Sequence, residues 1–343
     1  MSPFRSLLLT TVGVVLSLTA AGVAEPTPSA PTPATAPAST DGTAITPLAH
    51  VVKRGTGPIN VVLIPGVGCD WTVFDTFMTR NAERYTMHAV TLPGFGGSTA
   101  PPMPPKERVG EGVWLDNAVA AVMKHIKDQS IEKPVIVGHS LGGHIAMRMA
   151  ARHGESLRAV VALDASPAFP LREIDQRMTI AERREFVLTQ IEPWFRELTD
   201  DMWAEQQRMM ADQMVKARGR AAAIGHLMSK APRAVGMQYV LELMAADITP
   251  ELPNVSCPML VVSCITDEEL APGLKDKIRA SSLDLFSTAA NTDVVFFEDT
   301  RHFVMDDSPQ ALDETIDALL TGKPVRGKPA ASRPAATTPA PRP

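Results

Sequence analysis

Residues 135–143 read VIVGHSLGG, a β-branched run that stops at Ser140 with Gly138 and Gly142 two positions away on either side. One explanation is a turn that needs glycine. The other is a nucleophile held on a tight corner between a buried strand and a helix over LGGHIAMRMAARH, the strand–turn–helix setting of a nucleophile elbow. Flanking glycines keep side chains away from the serine backbone, and the start of the following helix favours negative charge beside the hydroxyl. Serine at its own pKa is a weak nucleophile. Such a site therefore needs an imidazole to accept its proton and a carboxylate to hold that imidazole in one tautomer. It also needs backbone N–H groups where a carbonyl oxygen turns anionic.

The elements that would position such groups alternate along the chain. INVVLIPG (59–66) is a continuous apolar run, as expected of a strand buried on both faces. YTMHAVTLPGFGGS (85–98) gives a second strand and a Gly-rich turn, and VWLDNAVAAVMKHIKD (113–128) carries Trp114, Ala118, Ala121, Val122 and His125/Ile126 at helical spacing. The run before Ser140 and its helix to His153 follow, then strands in LRAVVALDAS (157–166), CPMLVVSCITDE (257–268) and TDVVFFEDTRH (292–302), and a last helix over 308–321. Strands alternating with helices predict an α/β fold built on a mostly parallel sheet. Residues 171–246 break the rhythm: they hold no β-branched run and are rich in Glu, Arg, Gln, Ala and Met, which predicts inserted helices over the sheet's carboxyl edge. Met202, Met209, Met210 and Met214 have the spacing of a helix core and could also line an adaptable apolar pocket.

The ends differ in kind from the middle. Residues 1–24 offer Arg5, an apolar stretch from Leu7 to Leu18 and small residues up to Ala24, the layout of a cleavable signal peptide, so the chain is expected to be exported without a membrane span. Residues 25–47 form a Pro/Ala/Thr-rich linker, and 322–343 a basic Pro/Ala-rich tail expected to be disordered; many of the 30 prolines fall in these two segments. That leaves 48–170 and 247–321 as the α/β core. A net charge of −5 makes no case for nucleic acid. No His, Cys, Asp and Glu group has metal-ligand spacing, so no metal or cofactor is expected. Cys257 and Cys264 fall at opposite ends of one expected strand, about 23 Å apart at ~3.3 Å per residue, beyond disulfide reach.

At this point the chain resembles the α/β-hydrolase superfamily over roughly residues 50–321. The resemblance is carried by LIPGVG (63–68), LPGFGGS (92–98), VGHSLGG (137–143), LVVSCITDE (260–268) and DTRHFVMDDSP (299–309), in the family's order. It implies Ser140 as nucleophile, Asp267 as the acid and His302 as the base. Asp164, which ends VVALD at the edge of the preceding strand, is the reserve acid, since some members take theirs from that place. The resemblance also implies an oxyanion hole made by the amides of Leu141 and Val67, or of Gly68 if the loop is shifted. His139 and His144 sit too close to Ser140 in sequence to serve it and are expected to pack. Two departures stand out: Pro65-Gly66 where many members have His-Gly, and Arg301 before the histidine where a small residue is common.

The expectation that follows is an exported serine hydrolase with a helical cap at 171–246, acting on a small-molecule ester through an acyl-enzyme. Hydrolysis of lactones, amides or carbon–carbon bonds, and peracid formation, would keep the same three residues. A non-catalytic ligand-binding relative would show a missing triad member.

Overall fold

The computed structural model of the chain describes residues 44–109, 111–170, 178–266 and 273–325. The expected leader (1–24), most of the linker, the tail beyond 325 and the expected acid Asp267 lie outside the described residues.

Seven strands form one sheet: β1 (His50–Arg54), β2 (Ile59–Ile64), β3 (Tyr85–Thr91), β4 (Val135–His139), β5 (Ala159–Leu163), β6 (Met259–Ile265) and β7 (Thr292–Glu298). Their order is β1-β3-β2-β4-β5-β6-β7. β1 runs antiparallel to β3, and the other neighbours are parallel. β2 shows why a continuous apolar run marks a central strand. Its side chains alternate across the pleat, so Val62 and Ile64 enter the core on one face while Val61 and Leu63 enter the core on the other. The first face is covered by α2 (Val113–Asp128) and α3 (Leu141–His153), which contribute Trp114, Leu115, Leu141 and Ile145. The second is covered by α1 (Asp75–Arg80) and α11 (Pro309–Thr321), through Phe77, Leu312 and Ile316.

The chain leaves β5 for a set of helices before returning at β6: α4 (Ile180–Phe186), α5 (Glu192–Glu197), α6 (Asp200–Met214), α7 (Arg218–Ser229) and α8 (Arg233–Ala245). A turn of π-helix, Val187–Ile191, joins α4 to α5. Thr179 and Glu182 cap α4 reciprocally, and the Thr199 side chain caps α6, which fixes where each helix starts. These helices have a core of their own around Phe195, Trp203, Leu241 and Met244. Their outer contacts reach the loops at the carboxyl ends of the strands. The Tyr239 hydroxyl donates to the Pro93 carbonyl after β3, and Phe303 N–H donates to the Met214 carbonyl. Arg220 donates to the Val73 carbonyl and both Asp306 carboxylate oxygens. The methionines divide: Met214 is buried, whereas Met202 and Met209 face solvent.

After β6 come α9 (Leu274–Leu285), then β7, a short α10 (Val304–Asp307) and α11. No helix of the described residues is long and apolar enough to cross a membrane. All three cysteines are free.

Candidate active site

Ser140 stands between the last residue of β4 and the first of α3, with φ of 56° and ψ of −119°. A non-glycine residue at that φ is strained by about 1–3 kcal/mol and persists only where its surroundings fix it. Here they do. Ser140 N–H donates to the Leu163 carbonyl of β5, and its carbonyl accepts from His144 N–H to start the helix. The flanking glycines are required by close approach. A Cβ on Gly138 would lie 2.0 Å from the Gly142 carbonyl oxygen, and one on Gly142 would lie 2.1 Å from that of Ile64. The β2 strand end therefore presses on the helix start, and the loop that follows passes over the serine: a Cβ on Gly66 would come within 3.1 Å of Ser140 Cβ and 3.5 Å of its Oγ.

Leu141, the first residue of α3, precedes the first helical hydrogen bond, so its N–H has no intrahelical acceptor. Val67 directly follows Gly66, in the turn closed by Cys69 N–H donating to the Gly66 carbonyl. Leu141 thus follows Ser140 in the chain, and Val67 is one residue from Gly66 in the loop that approaches the serine.

His302 lies in the segment between β7 and α10, and its ring centroid is 4.5 Å from that of His139, the residue before Ser140. His302 is 8% exposed. Its Nδ1 is 2.6 Å from Asp164 Oδ2. The carboxylate described on His302 Nδ1 is that of Asp164, the reserve acid; the first choice, Asp267, lies outside the described residues. Sheet order brings Asp164 there. β5 lies next to β4, so an acid just past its carboxyl end stands beside the elbow at the end of β4. Asp164 is itself held firmly. Its φ is +45°, its N–H donates to the Val262 carbonyl, and its Oδ1 accepts from Cys264 N–H at 3.0 Å. Burial, with the Asp164 charge beside it, keeps the Cys264 thiol well above its ordinary pKa.

The neighbours expected to pack do so, with polar contacts besides. His144 Nδ1 donates to the Ser166 carbonyl and its Nε2 accepts from Arg148, and burial pushes its pKa down to about 3. His139 Nε2 meets the His302 carbonyl at 3.0 Å. Arg301 donates through its guanidinium to the Asp212 and Val215 carbonyls, so it ties the end of α6 to the His302 segment. Asp306 pairs with Arg220, and Asp307 accepts from the backbone N–H of Lys216 and Arg301. Among the described residues no three His, Cys, Asp or Glu side chains gather as metal ligands. Sequence reasoning missed Glu242 of α8, whose buried carboxylate accepts from the N–H groups of Trp114 and Leu115 at the start of α2. The signal was there as a glycine, Gly112, where a capping side chain usually stands.

The sequence profile of the alpha/beta hydrolase family matches residues 61–315. A pimeloyl-[acyl-carrier protein] methyl ester esterase from Aeromonas hydrophila is 28% identical over 270 residues, covering 74% of this chain and 98% of that one. The enzyme of the same description from Citrobacter koseri is 33% identical over 120 residues, 35% of this chain and 42% of its own. Among solved structures, an esterase from Exiguobacterium antarcticum superposes with a TM-score of 0.61 at 18% identity, covering 79% of this chain and 95% of that one. An enol-lactonase from Burkholderia xenovorans does so at 0.60 and 17%, covering 79% and 96%.

Proposed function

The chain belongs to the alpha/beta hydrolase family, and on that premise we propose that it hydrolyses carboxylic esters, with Ser140 as nucleophile, His302 as general base and acid, and Asp164 as the carboxylate that orients the base. The observation that carries the reading is the 2.6 Å contact of His302 Nδ1 with Asp164, formed beside a serine on a strained strand–helix corner. With Nδ1–H given to Asp164, the imidazole leaves Nε2 as its free base. As Ser140 Oγ bonds to the ester carbonyl carbon, its proton passes to Nε2, and Asp164 stabilises the imidazolium. The carbonyl oxygen becomes anionic and is met by the N–H groups of Leu141 and Val67, each such donor supplying about 3 kcal/mol in the transition state. Nε2–H then protonates the departing alcohol, and an acyl-enzyme remains. Water repeats the steps: its proton goes to Nε2, its oxygen bonds to the acyl carbon, and the Ser140 oxygen leaves with the proton returned. The Aeromonas relative, named for a methyl ester, supports an ester as the bond cleaved.

In this reading the helices between 180 and 245 are a cap that shapes substrate access, supported by the contacts of Tyr239, Met214 and Arg220 with loops at the strand ends. The enzyme acts after export, as the Arg5 and Leu7–Leu18 pattern suggests. Steady-state hydrolysis of p-nitrophenyl acetate and butyrate, a γ-lactone and a p-nitroanilide tests the function. We expect turnover of the esters, lost in Ser140→Ala. Turnover of the lactone or anilide alone would overturn the ester assignment. For export, the mass of the protein recovered outside the cytoplasm should lack residues 1–24.

A further inference from the structure

His139 touches three parts of the site at once. It ends β4 and directly precedes Ser140. Its Nε2 is 3.0 Å from the backbone carbonyl oxygen of His302, a residue 163 positions away in the chain. Its ring stands 4.5 Å from the His302 ring and 4.6 Å from that of Phe303, centroid to centroid. Its Nδ1 comes 3.4 Å from where a Cβ on Gly66 would stand, against the loop that passes over the serine.

The protonation state follows from the partners. A carbonyl oxygen only accepts, so Nε2 carries the hydrogen. Burial, reinforced by His302 alongside, holds the His139 pKa well below its ordinary value, so the ring is neutral and Nδ1 bears a lone pair. That Nδ1 is buried and has no hydrogen-bond partner. A buried polar atom without a partner costs free energy that an apolar side chain would avoid, so the return for having histidine here lies at Nε2. His302 itself is held at two kinds of point, the imidazole by Asp164 and the backbone carbonyl by His139 and by the local bond from Val304 N–H, while its neighbours Arg301 and Phe303 are tied to Asp307 and to the end of α6. The Val304 bond closes a local turn and ties the carbonyl to nothing outside its own segment. The His139 bond ties it to the residue beside the nucleophile.

We propose that His139 is a positioning residue for the base: by donating from Nε2 to the His302 carbonyl and standing against its ring, it sets the distance between the imidazole and Ser140. The inference rests on the assignment of Ser140 and His302 as nucleophile and base. Proton transfer depends steeply on such distances, and a displacement of about 1 Å can cost roughly 100-fold in rate. His139→Phe keeps a ring and removes the donor; His139→Gln removes the ring and returns a donor at nearly the Nε2 position.

The experiment measures kcat and KM for p-nitrophenyl butyrate, with active sites counted by stoichiometric reaction with a fluorophosphonate. We expect His139→Phe to lose about 30- to 100-fold in kcat per reactive site with KM within twofold, and His139→Gln to recover to within about fivefold of wild type. A structural role alone would lower the number of reactive sites or the melting temperature and leave kcat per site unchanged in both, and that result overturns the proposal. Equal losses in Phe and Gln variants overturn it too. Nitrogen-15 spectra of the unsubstituted protein need no variant. They should show His139 neutral with its hydrogen on Nε2 at and above its ordinary pKa of 6.5, and a hydrogen on Nδ1 or a titration at or above 6.5 overturns the proposal. If the unsubstituted protein does not react at Ser140, the underlying assignment fails. If it reacts and the Phe variant keeps its kcat, only the role of His139 fails.

Discussion

Replacing Asp164 by asparagine separates the two acids that the sequence left in competition, and the structure sets the size of the effect. Asp164 uses both oxygens: Oδ1 accepts from Cys264 N–H at 3.0 Å, and Oδ2 faces His302 Nδ1 at 2.6 Å. An asparagine has one oxygen for two donors. If the oxygen stays on Nδ1–H, the amide NH2 faces Cys264 N–H, donor against donor. If the oxygen turns to Cys264, the NH2 faces Nδ1, which must then be the lone-pair nitrogen. The second arrangement satisfies both contacts and is therefore favoured, and it moves the imidazole hydrogen to Nε2. A histidine with Nε2–H cannot take the proton of Ser140. The wrong tautomer in such a triad costs about 10⁴-fold in kcat, equivalent to about 5 kcal/mol of barrier at ~1.36 kcal/mol per tenfold. The assay is ester hydrolysis by Asp164→Asn and Asp267→Asn side by side, with circular dichroism to confirm that both are folded. We expect a loss of at least about 10³-fold in the first and less than threefold in the second. An active Asp164→Asn protein beside an inactive Asp267→Asn protein would refute the assignment of the acid.

Two further outcomes follow from the packing. Burial raises the Glu242 carboxyl from 4.5 to about 7, against the three hydrogen bonds it accepts from Trp114, Leu115 and Gln238. Folding thus raises this pKa, so the unfolded chain gives up the proton first as pH rises. The stability linked to Glu242 is complete below pH 4.5 and declines up to about pH 7, by about 3 kcal/mol at ~1.36 kcal/mol per unit. Urea unfolding across pH 4 to 8 should show the unsubstituted protein losing stability relative to Glu242→Gln over that window; a constant difference would contradict it. Gly142→Ala would place a methyl 2.1 Å from the Ile64 carbonyl oxygen and 2.7 Å from that of Pro65, against strand-end backbone that cannot easily yield. Overpacking of this kind costs about 1–3 kcal/mol, so the melting temperature should fall by about 2–10 °C and ester turnover by about tenfold or more. A fully stable, active variant would show that β2 and α3 do not press together as described.

The strands that position the site were legible because they are buried on both faces and read as unbroken apolar runs. The edge strand β1 was not. Its sequence, HVVKR, is half exposed and mixes charge with valine, so it carries too little pattern to stand out. The helical character of 180–245 could be read from composition, but not which side of α6 faces in: Met202, Met209 and Met214 share a residue type and differ only in what packs against them. Ser140 and His302 were legible because chain order and strand context single them out. The acid was harder, since Asp164 and Asp267 both follow a strand, and the contact of Asp164 with His302 spans 138 residues, which no local pattern announces. The bond from His139 to the His302 carbonyl spans 163 residues and involves a backbone atom, so no local pattern announces it. Glu242 reaches the start of α2 across 128 residues for the same reason.

Whether Ser140 is an activated nucleophile is tested most directly by reaction with a fluorophosphonate followed by intact-mass and peptide-mass measurement. One phosphonyl group per chain is expected, on the peptide containing Ser140. None is expected on Ser140→Ala, and reaction slowed by at least about 10³-fold in His302→Ala. A folded protein that acquires no label, or acquires it equally when Ser140 or His302 is replaced, would contradict that role for Ser140.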